Sequence, residues 1–276
     1  MGFRINTNTP AIAAQRALGK SSKGVEDNIK HLATGSRIVQ ASDDAAGLAI
    51  SERIKSIIKS SQQANRNAND SISLVQVAEG GINEIQNIMT RLRELSIQSA
   101  SDTVSHTERS FTDMEYQQLK NEIQRIAEVT RFNGADLLSG KGGRFDFQVD
   151  VGNGEEDRIS FNSSESDMTL SGLNISHLGV SEKSKAQNSL ETIDGAIERI
   201  SQQRSSLGAI QSRLTSSSNN LSVFEKSQSD ANSRIRDADF AIETSDNAKN
   251  SIVQQAGTSV LSQATNVSQN ALRLLT

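Results

Sequence analysis

Residues 50–95 read ISERIKSIIKSSQQANRNANDSISLVQVAEGGINEIQNIMTRLREL. Small or apolar side chains recur through them at steps of three or four: Ile50, Ile54, Ile57, Ser61, Ala64, Ala68, Ile72, Val75, Ala78, Ile82, Ile85, Met89, Leu92 and Leu95. Such spacing holds one stripe on one face of a helix, and its persistence over many turns predicts a coiled-coil seam. A helix over residues 47–99 would be roughly 75–80 Å long at the α-helical rise. A rod of that kind buries its stripe only against other rods.

The same rhythm runs through residues 186–232, in Ala186, Leu190, Ile193, Ile197, Ile200, Leu207, Leu214, Leu221, Phe224 and Ala231. A third segment near 109–129 offers Phe111, Met114, Leu119, Ile123 and Ile126. Three helical segments predict a mainly α fold, an elongated multi-helix coiled-coil bundle rather than a two-stranded zipper.

Between them the period drops to two. Phe145, Phe147, Val149 and Val151 alternate with Asp146, Gln148 and Asp150, then Gly152-Asn153-Gly154 supplies a turn, and Ile159 and Phe161 resume the alternation. The pattern predicts a small β-hairpin region near 144–162 with one buried face. The preceding GKGGRF lacks the spacing of a phosphate-binding loop, and no helix signal follows it.

Composition agrees with thin seams. Apolar residues make up 34%, aromatics 3%, with no Trp and one Tyr, so the large rings that fill an ordinary core are scarce. The absence of Cys excludes disulfides and thiolate chemistry. His31, His106 and His177 stand far apart and outside any metal-binding pattern, so neither a metal nor another cofactor is expected. No stretch approaches the run of about 18 apolar residues that a membrane span requires. The N-terminal MGFRINTNTPAIAAQ lacks the basic start and continuous apolar core of a signal peptide. Residues 1–42 carry six basic and two acidic side chains, and residues 233–276 four of each. The net negative charge of the chain therefore sits in its middle, which argues against nucleic acid as a partner.

Both extremities are amphipathic. Thr9-Pro10 reads as an N-cap followed by proline at the first helical position, and Leu18, Val25, Ile29 and Leu32 mark a stripe beyond it. At the other end Ile235, Ala238, Ile242, Ala248, Ile252, Ala256, Val260, Ala264, Val267 and Ala271 form another. Residues 250–272, NSIVQQAGTSVLSQATNVSQNAL, contain no charged side chain, and residues 5–15 contain none either. A helix without charge on any face suits burial among other helices better than solvation. The two ends are expected to pair and to assemble with other copies through Leu18, Val25, Ile29, Leu32, Ile252, Ala256, Val260, Leu261, Ala264, Leu272 and Leu275. Ser42, Asp43 and Asp44 precede the long middle helix, where capping accounts for them without a catalytic role. No catalytic constellation is present, so an enzyme is not expected.

At these residues the chain resembles bacterial flagellin. Residues 13–54, AAQRALGKSSKGVEDNIKHLATGSRIVQASDDAAGLAISERI, are similar to the family's N-terminal signature, and ANRNANDSISLVQVAEGGINEI continues it. EIQRIAEVTRFNGADLL, IERISQQRSSLGAIQSRL and SRIRDADFAIE follow in the family's order. The resemblance implies a structural subunit of the flagellar filament, with residues 1–42 and 233–276 paired as an inner coiled-coil domain. Residues 43–232 would form a rod of helices with the hairpin. Large outer domains would be absent, since only about 25 residues separate Phe161 from the next helix. The resemblance also implies an extracellular location, export through the flagellar type III apparatus with an export chaperone and an uncleaved N-terminus, and contacts with hook-associated junction and cap proteins. Residues 90–98, TRLRELSIQ, resemble the segment bound by the flagellin-sensing Toll-like receptor, with Arg91, Leu95 and Glu115 at its contact positions. The alternative within the same apparatus is a hook–filament junction protein, whose paired Asp is usually followed by Pro where this chain has Ala45-Ala46-Gly47. A coiled-coil signalling rod accounts for the heptads but not for the charge-free ends.

Overall fold

A computed structural model describes residues 7–273, with side chains described through Asn266. Among these residues run five long helices: α1 (Thr9–Thr34), α2 (Ala45–Ala100), α3 (His106–Val129), α4 (Lys183–Arg236) and α5 (Phe240–Arg273). Two small antiparallel hairpins lie between α3 and α4 in sequence: β1 (Arg131–Phe132) with β2 (Ala135–Asp136), and β3 (Arg144–Gln148) with β4 (Arg158–Asn162). The chain forms two compact units. One comprises Ile58–Lys226, the other Met1–Ile57 with Ser227–Thr276. The first turns of α2 and the last turns of α4 thus belong with the terminal helices.

Within the 58–226 unit, α2 and α4 run antiparallel. Ser61 Oγ donates to the Leu221 carbonyl (3.4 Å), and Arg93 pairs with Asp194 (2.7 Å) toward the other end. The seam of α2 changes character along its length. Ser61, Ala64, Ala68 and Ser71 keep it narrow, whereas Ile82, Ile85, Met89, Leu92 and Leu95 fill a wider core that also takes in Tyr116, Ile123 and Ala127 of α3. On α4 the buried apolar set is Ala186, Ile193, Ala196, Ile200, Leu207, Leu214 and Leu221. Each fully buried Leu or Ile contributes roughly 1.5–3 kcal/mol relative to exposure, so the seam dominates this unit's stability. The stripe departs from the sequence reading at three places. Ile50 and Phe224 are exposed, and so are Phe111 and Met114, because α3 turns Arg109, Tyr116, Lys120, Ile123 and Ala127 inward instead.

The longer hairpin follows the alternation in the sequence. Phe145 faces Phe161 and Phe147 faces Ile159, and the Phe145 and Phe161 rings stack with centroids 6.1 Å apart. The short hairpin turns at Asn133-Gly134, both at positive φ. Residues 163–182 form no long element yet bury Ser163, Ser166, Met168, Leu173, Ile175, Leu178 and Val180. Polar bonds hold that segment down. The Lys120 ammonium donates to the carbonyls of Ser176 (2.8 Å) and Leu178 (2.7 Å), Asp113 accepts from Val180 N–H (2.7 Å), and Gln124 accepts from Leu170 N–H (3.0 Å).

Tyr116, the only tyrosine, is fully buried, with its hydroxyl beside those of Ser96 and Ser189. Burial pushes that hydroxyl from 10.0 up to about 12. The folded state therefore keeps a proton that the unfolded chain releases, so stability is intact below pH 10 and falls as pH rises from 10 toward 12, by roughly 3 kcal/mol in all. With no Trp in the chain, tyrosinate absorbance reads this one group. It is expected to stay flat past pH 10 and to rise together with loss of helix. A rise near pH 10 with the helical signal intact would place the hydroxyl in water.

Candidate assembly surface

The second unit is built on α1 and α5, which lie antiparallel. The α1 N-cap is Asn8, one residue earlier than the sequence suggests. Its side-chain oxygen accepts from Ala11 N–H, while its amide donates to the Ala264 carbonyl (2.9 Å). Farther along, Leu18 meets Gly257, Ser21 Oγ donates to the Asn250 carbonyl (2.6 Å), and His31 Nδ1 lies 3.1 Å from Glu243 Oε1. Beyond the end of α1, Ser36 and Asp237 form an antiparallel bridge, and Arg236 pairs with Glu52 (2.6 Å).

The face that α5 turns to α1 is mostly polar or small: Glu243, Asn247, Asn250, Gln254 and Gly257, with Leu261 and Ala264 near the far end, are all half-buried. Its apolar stripe points elsewhere. Ile252 is 66% exposed, Val253 46% and Val260 58%, and Ala256 is exposed too. These four positions fall roughly a fifth to a half of a turn from the centre of the α1-facing set. The expected assembly residues therefore separate into two groups. Leu18, Val25, Leu32, Leu261 and Ala264 are half-buried in this unit, whereas Ile29, Ile252, Ala256 and Val260 are exposed. Leu272 and Leu275 lie outside the residues whose side chains are described. No helix among the described residues is long and apolar enough to cross a membrane.

At the start of α2 the three candidate capping residues have different tasks. Asp44 Oδ1 accepts from Gly47 N–H (2.9 Å) and caps the helix. Asp43 faces backward and accepts from the N–H groups of Val39 (3.0 Å) and Gln40 (2.9 Å), bonds that hold its carboxyl below the ordinary range. Ser42 is exposed on the turn and takes no part in the cap. A Cβ at Gly47 would collide with the Asp44 carboxylate and with Ile38, which explains the glycine in DDAAGLAI.

Residues 5–142 match the model of the bacterial flagellin N-terminal helical region, and residues 190–275 that of the C-terminal helical region. The chain belongs to the flagellin family. It is 38% identical to the flagellar filament 33 kDa core protein of Treponema phagedenis, with 98% of this chain and 99% of that protein covered. Against the flagellin of Halalkalibacterium halodurans the identity is 36%, with the same coverage. The crystal structure of Bacillus cereus flagellin matches with a TM-score of 0.51 at 28% identity, over 56% of this chain and 88% of that one. The short flagellins of Treponema and Halalkalibacterium are thus matched from end to end.

Arg91 and Glu115 are exposed and paired, Nη2 to Oε1 at 2.8 Å, and Arg91 also reaches Glu94 (3.0 Å). Leu95 is 1% exposed and packs in the core. A partner docking on this surface would meet the Arg91 and Glu115 side chains but not that of Leu95. Phe111 and Met114, which the sequence reading assigned to the seam, are exposed on the same helix as Glu115. Among the described residues no group of three or more His, Asp or Glu is placed to hold a metal.

Proposed function

We propose that the exposed apolar stripe of α5, with Ile29 on α1, joins neighbouring copies of the chain and so builds the polymer. This flagellin is a structural subunit of the bacterial flagellar filament, and its role is mechanical rather than catalytic. The observation that carries the contact proposal is the division of α5 beyond Lys249 into a polar side turned to α1 and an uncharged apolar side turned to solvent. Burying one Ile or Val there contributes about 1.5–3 kcal/mol, and a subunit that is buried on several sides gains that at each contact. The inner coiled-coil domain is then residues 1–42 with 233–276, and residues 43–232 form the rod domain. Relatives matched over their full length are filament core proteins, which favours the filament over the hook–filament junction.

Family membership also supports export through the flagellar type III apparatus with an export chaperone, without cleavage of the N-terminus, and contacts with hook-associated junction and cap proteins. A flagellin-sensing Toll-like receptor would engage the surface around Arg91 and Glu115, whose exposed ion pair contributes little to stability and is free to exchange for contacts with a partner. The test of the assembly reading is electron microscopy of purified chain seeded with short filament fragments. Long tubes are expected. A solution that stays monomeric or dimeric at every concentration refutes it.

A further inference from the structure

The turn between β3 and β4 carries Gly152-Asn153-Gly154, one of two places in the chain where glycine follows asparagine, the other being Asn133-Gly134. An Asn-Gly step is intrinsically reactive, because the glycine nitrogen can attack the side-chain amide carbon of the asparagine and close a cyclic imide. The two steps differ in their surroundings. Asn153 is exposed. Its Oδ1 accepts from Arg158 Nη2 (3.2 Å), and Gly154 N–H donates to Asp157 Oδ2 (2.7 Å). A second bond, from Arg158 Nε to Gln148 Oε1 (3.1 Å), holds the same guanidinium. The glycines on either side leave space for these groups. A Cβ at Gly152 would collide with the Asp157 carboxylate, and one at Gly154 with that of Glu156. Beside Asn133-Gly134 an arginine and an aspartate are also present, but they engage each other, Arg131 Nε to Asp136 Oδ1 at 2.6 Å.

We propose that Asn153 is a site of self-catalysed deamidation, with Asp157 as the general base and Arg158 as the group that stabilises the oxyanion. Asp157 takes the proton from Gly154 N as that nitrogen attacks Asn153 Cγ. The new N–C bond drives the carbonyl electron pair onto Oδ1, where the Arg158 guanidinium already donates. Collapse of the intermediate re-forms the carbonyl and breaks the Cγ–Nδ2 bond, and the departing nitrogen takes up the proton released from Gly154 and leaves as ammonia. Water then opens the imide at either carbonyl, giving aspartate or its β-linked isomer. In sum, asparagine and water become an aspartyl residue and ammonia, with no change of oxidation state. The geometry meets the two requirements of the first step. A base lies within hydrogen-bond reach of the proton it must remove, and a cation lies on the oxygen where negative charge develops. A carbonyl in the place of Asp157 would only hold that proton, whereas a carboxylate can accept it. The product adds a negative charge to a turn in which Glu155, Glu156 and Asp157 already outnumber Arg158.

The test incubates the full chain at neutral pH, folded and in guanidinium chloride, and follows each asparagine by peptide mass, with released ammonia as an independent count. In the folded chain Asn153 is expected to convert about tenfold faster than Asn133, and about tenfold faster than Asn153 itself in the denatured chain, where the two Asn-Gly steps should react alike. Asp157→Asn keeps an acceptor for Gly154 N–H but cannot take its proton, so it should slow Asn153 by about tenfold and leave Asn133 unchanged. Arg158→Met should slow Asn153 less, because the guanidinium is exposed and water screens its charge. Circular dichroism checks that each variant is folded. A folded native chain in which Asn153 reacts no faster than in denaturant overturns the proposal, since the bond to Asp157 would then shield the nitrogen rather than activate it. So does an Asp157→Asn chain that keeps its helical signal and converts Asn153 at the native rate or above. The comparison of folded with denatured native chain decides the matter even where a variant fails to fold.

Discussion

Val260→Asp is expected to abolish filament growth while leaving the 58–226 unit as stable as before. Val260 is 58% exposed on the charge-free part of α5, so a carboxylate there meets water in the isolated subunit and costs little. In the polymer the same carboxylate would sit among apolar groups of a neighbour with no cation on residues 250–272 to pair with it. Burying an unpaired charge costs several kcal/mol. A loss of roughly 4 kcal/mol per subunit raises the critical concentration about a thousandfold, beyond the range in which purified chain stays soluble. Sedimentation of seeded protein measures the critical concentration, and thermal melting followed by circular dichroism monitors the unit formed by residues 58–226. Val260→Ala should polymerise at a modestly raised critical concentration, because it loses area without adding charge. Leu261→Asp tests the other side of the helix. Leu261 is half-buried on the α1-facing set, so this change should disturb α1–α5 pairing, shown by weaker formation of a disulfide between Leu18→Cys and Gly257→Cys, whose Cβ atoms would stand 3.9 Å apart, whereas Val260→Asp should leave that link intact. Filaments of normal length from Val260→Asp at ordinary concentration would remove this face from the assembly.

The contrast between the two ends of the chain and its middle also explains what the sequence could convey. Heptad rhythm is a burial code, and from Ser61 to Leu95 the code holds because α3, α4 and the longer hairpin pack against α2 there. On α5 the same rhythm in Ile242, Ile252, Ala256 and Val260 marks a face that the single chain leaves open. Periodicity tells which residues share a face, not which molecule covers it. The α1-facing set on α5 was hidden for the converse reason, since Glu243, Asn247, Asn250 and Gln254 carry no hydrophobic signal. Local chemistry was legible where it is local. The alternation that pairs Phe145 with Phe161 is one case. The irregular residues 163–182 have no period to read, because their hold on the core comes from backbone groups bonded to Asp113, Lys120 and Gln124. Burial of Lys120 and Arg109 was equally invisible. A basic side chain in a helix reads as solvated surface unless the carbonyls it will meet are known.

Those two cations carry the largest stability effect expected of any single charged side chain here. Arg109 donates to the carbonyls of Ser99 (2.9 Å) and Ser101 (2.8 Å) and closes the turn between α2 and α3. Lys120, one turn from the other buried residues of α3, holds the carbonyls of Ser176 and Leu178. Burial of the ammonium lowers the Lys120 pKa, with the Asp113 carboxylate opposing that shift. The sign follows. The charged form is penalised in the folded state, so the penalty is present at neutral pH and is relieved as pH rises through the lowered pKa toward 10.5. Two competing terms therefore meet at this residue, since desolvation of the charge opposes folding and two charge-assisted bonds favour it at about 1.5–3 kcal/mol each. Lys120→Ala deletes the bonds, strands two buried carbonyls and opens a void beneath the stem, so a loss of roughly 3–5 kcal/mol is expected. Lys120→Met keeps the packing of the stem and removes the desolvation cost, so it should lose less, yet it still leaves Ser176 and Leu178 without a donor. Denaturant titration of the full chain, followed at the transition of the 58–226 unit, separates the cases. Midpoints falling in the order native, Met, Ala would mean that the bonds outweigh desolvation. A Met variant as stable as the native chain would reverse that ranking, leaving the segment after β4 held by its apolar contacts at Leu173, Ile175 and Leu178 rather than by the buried cation.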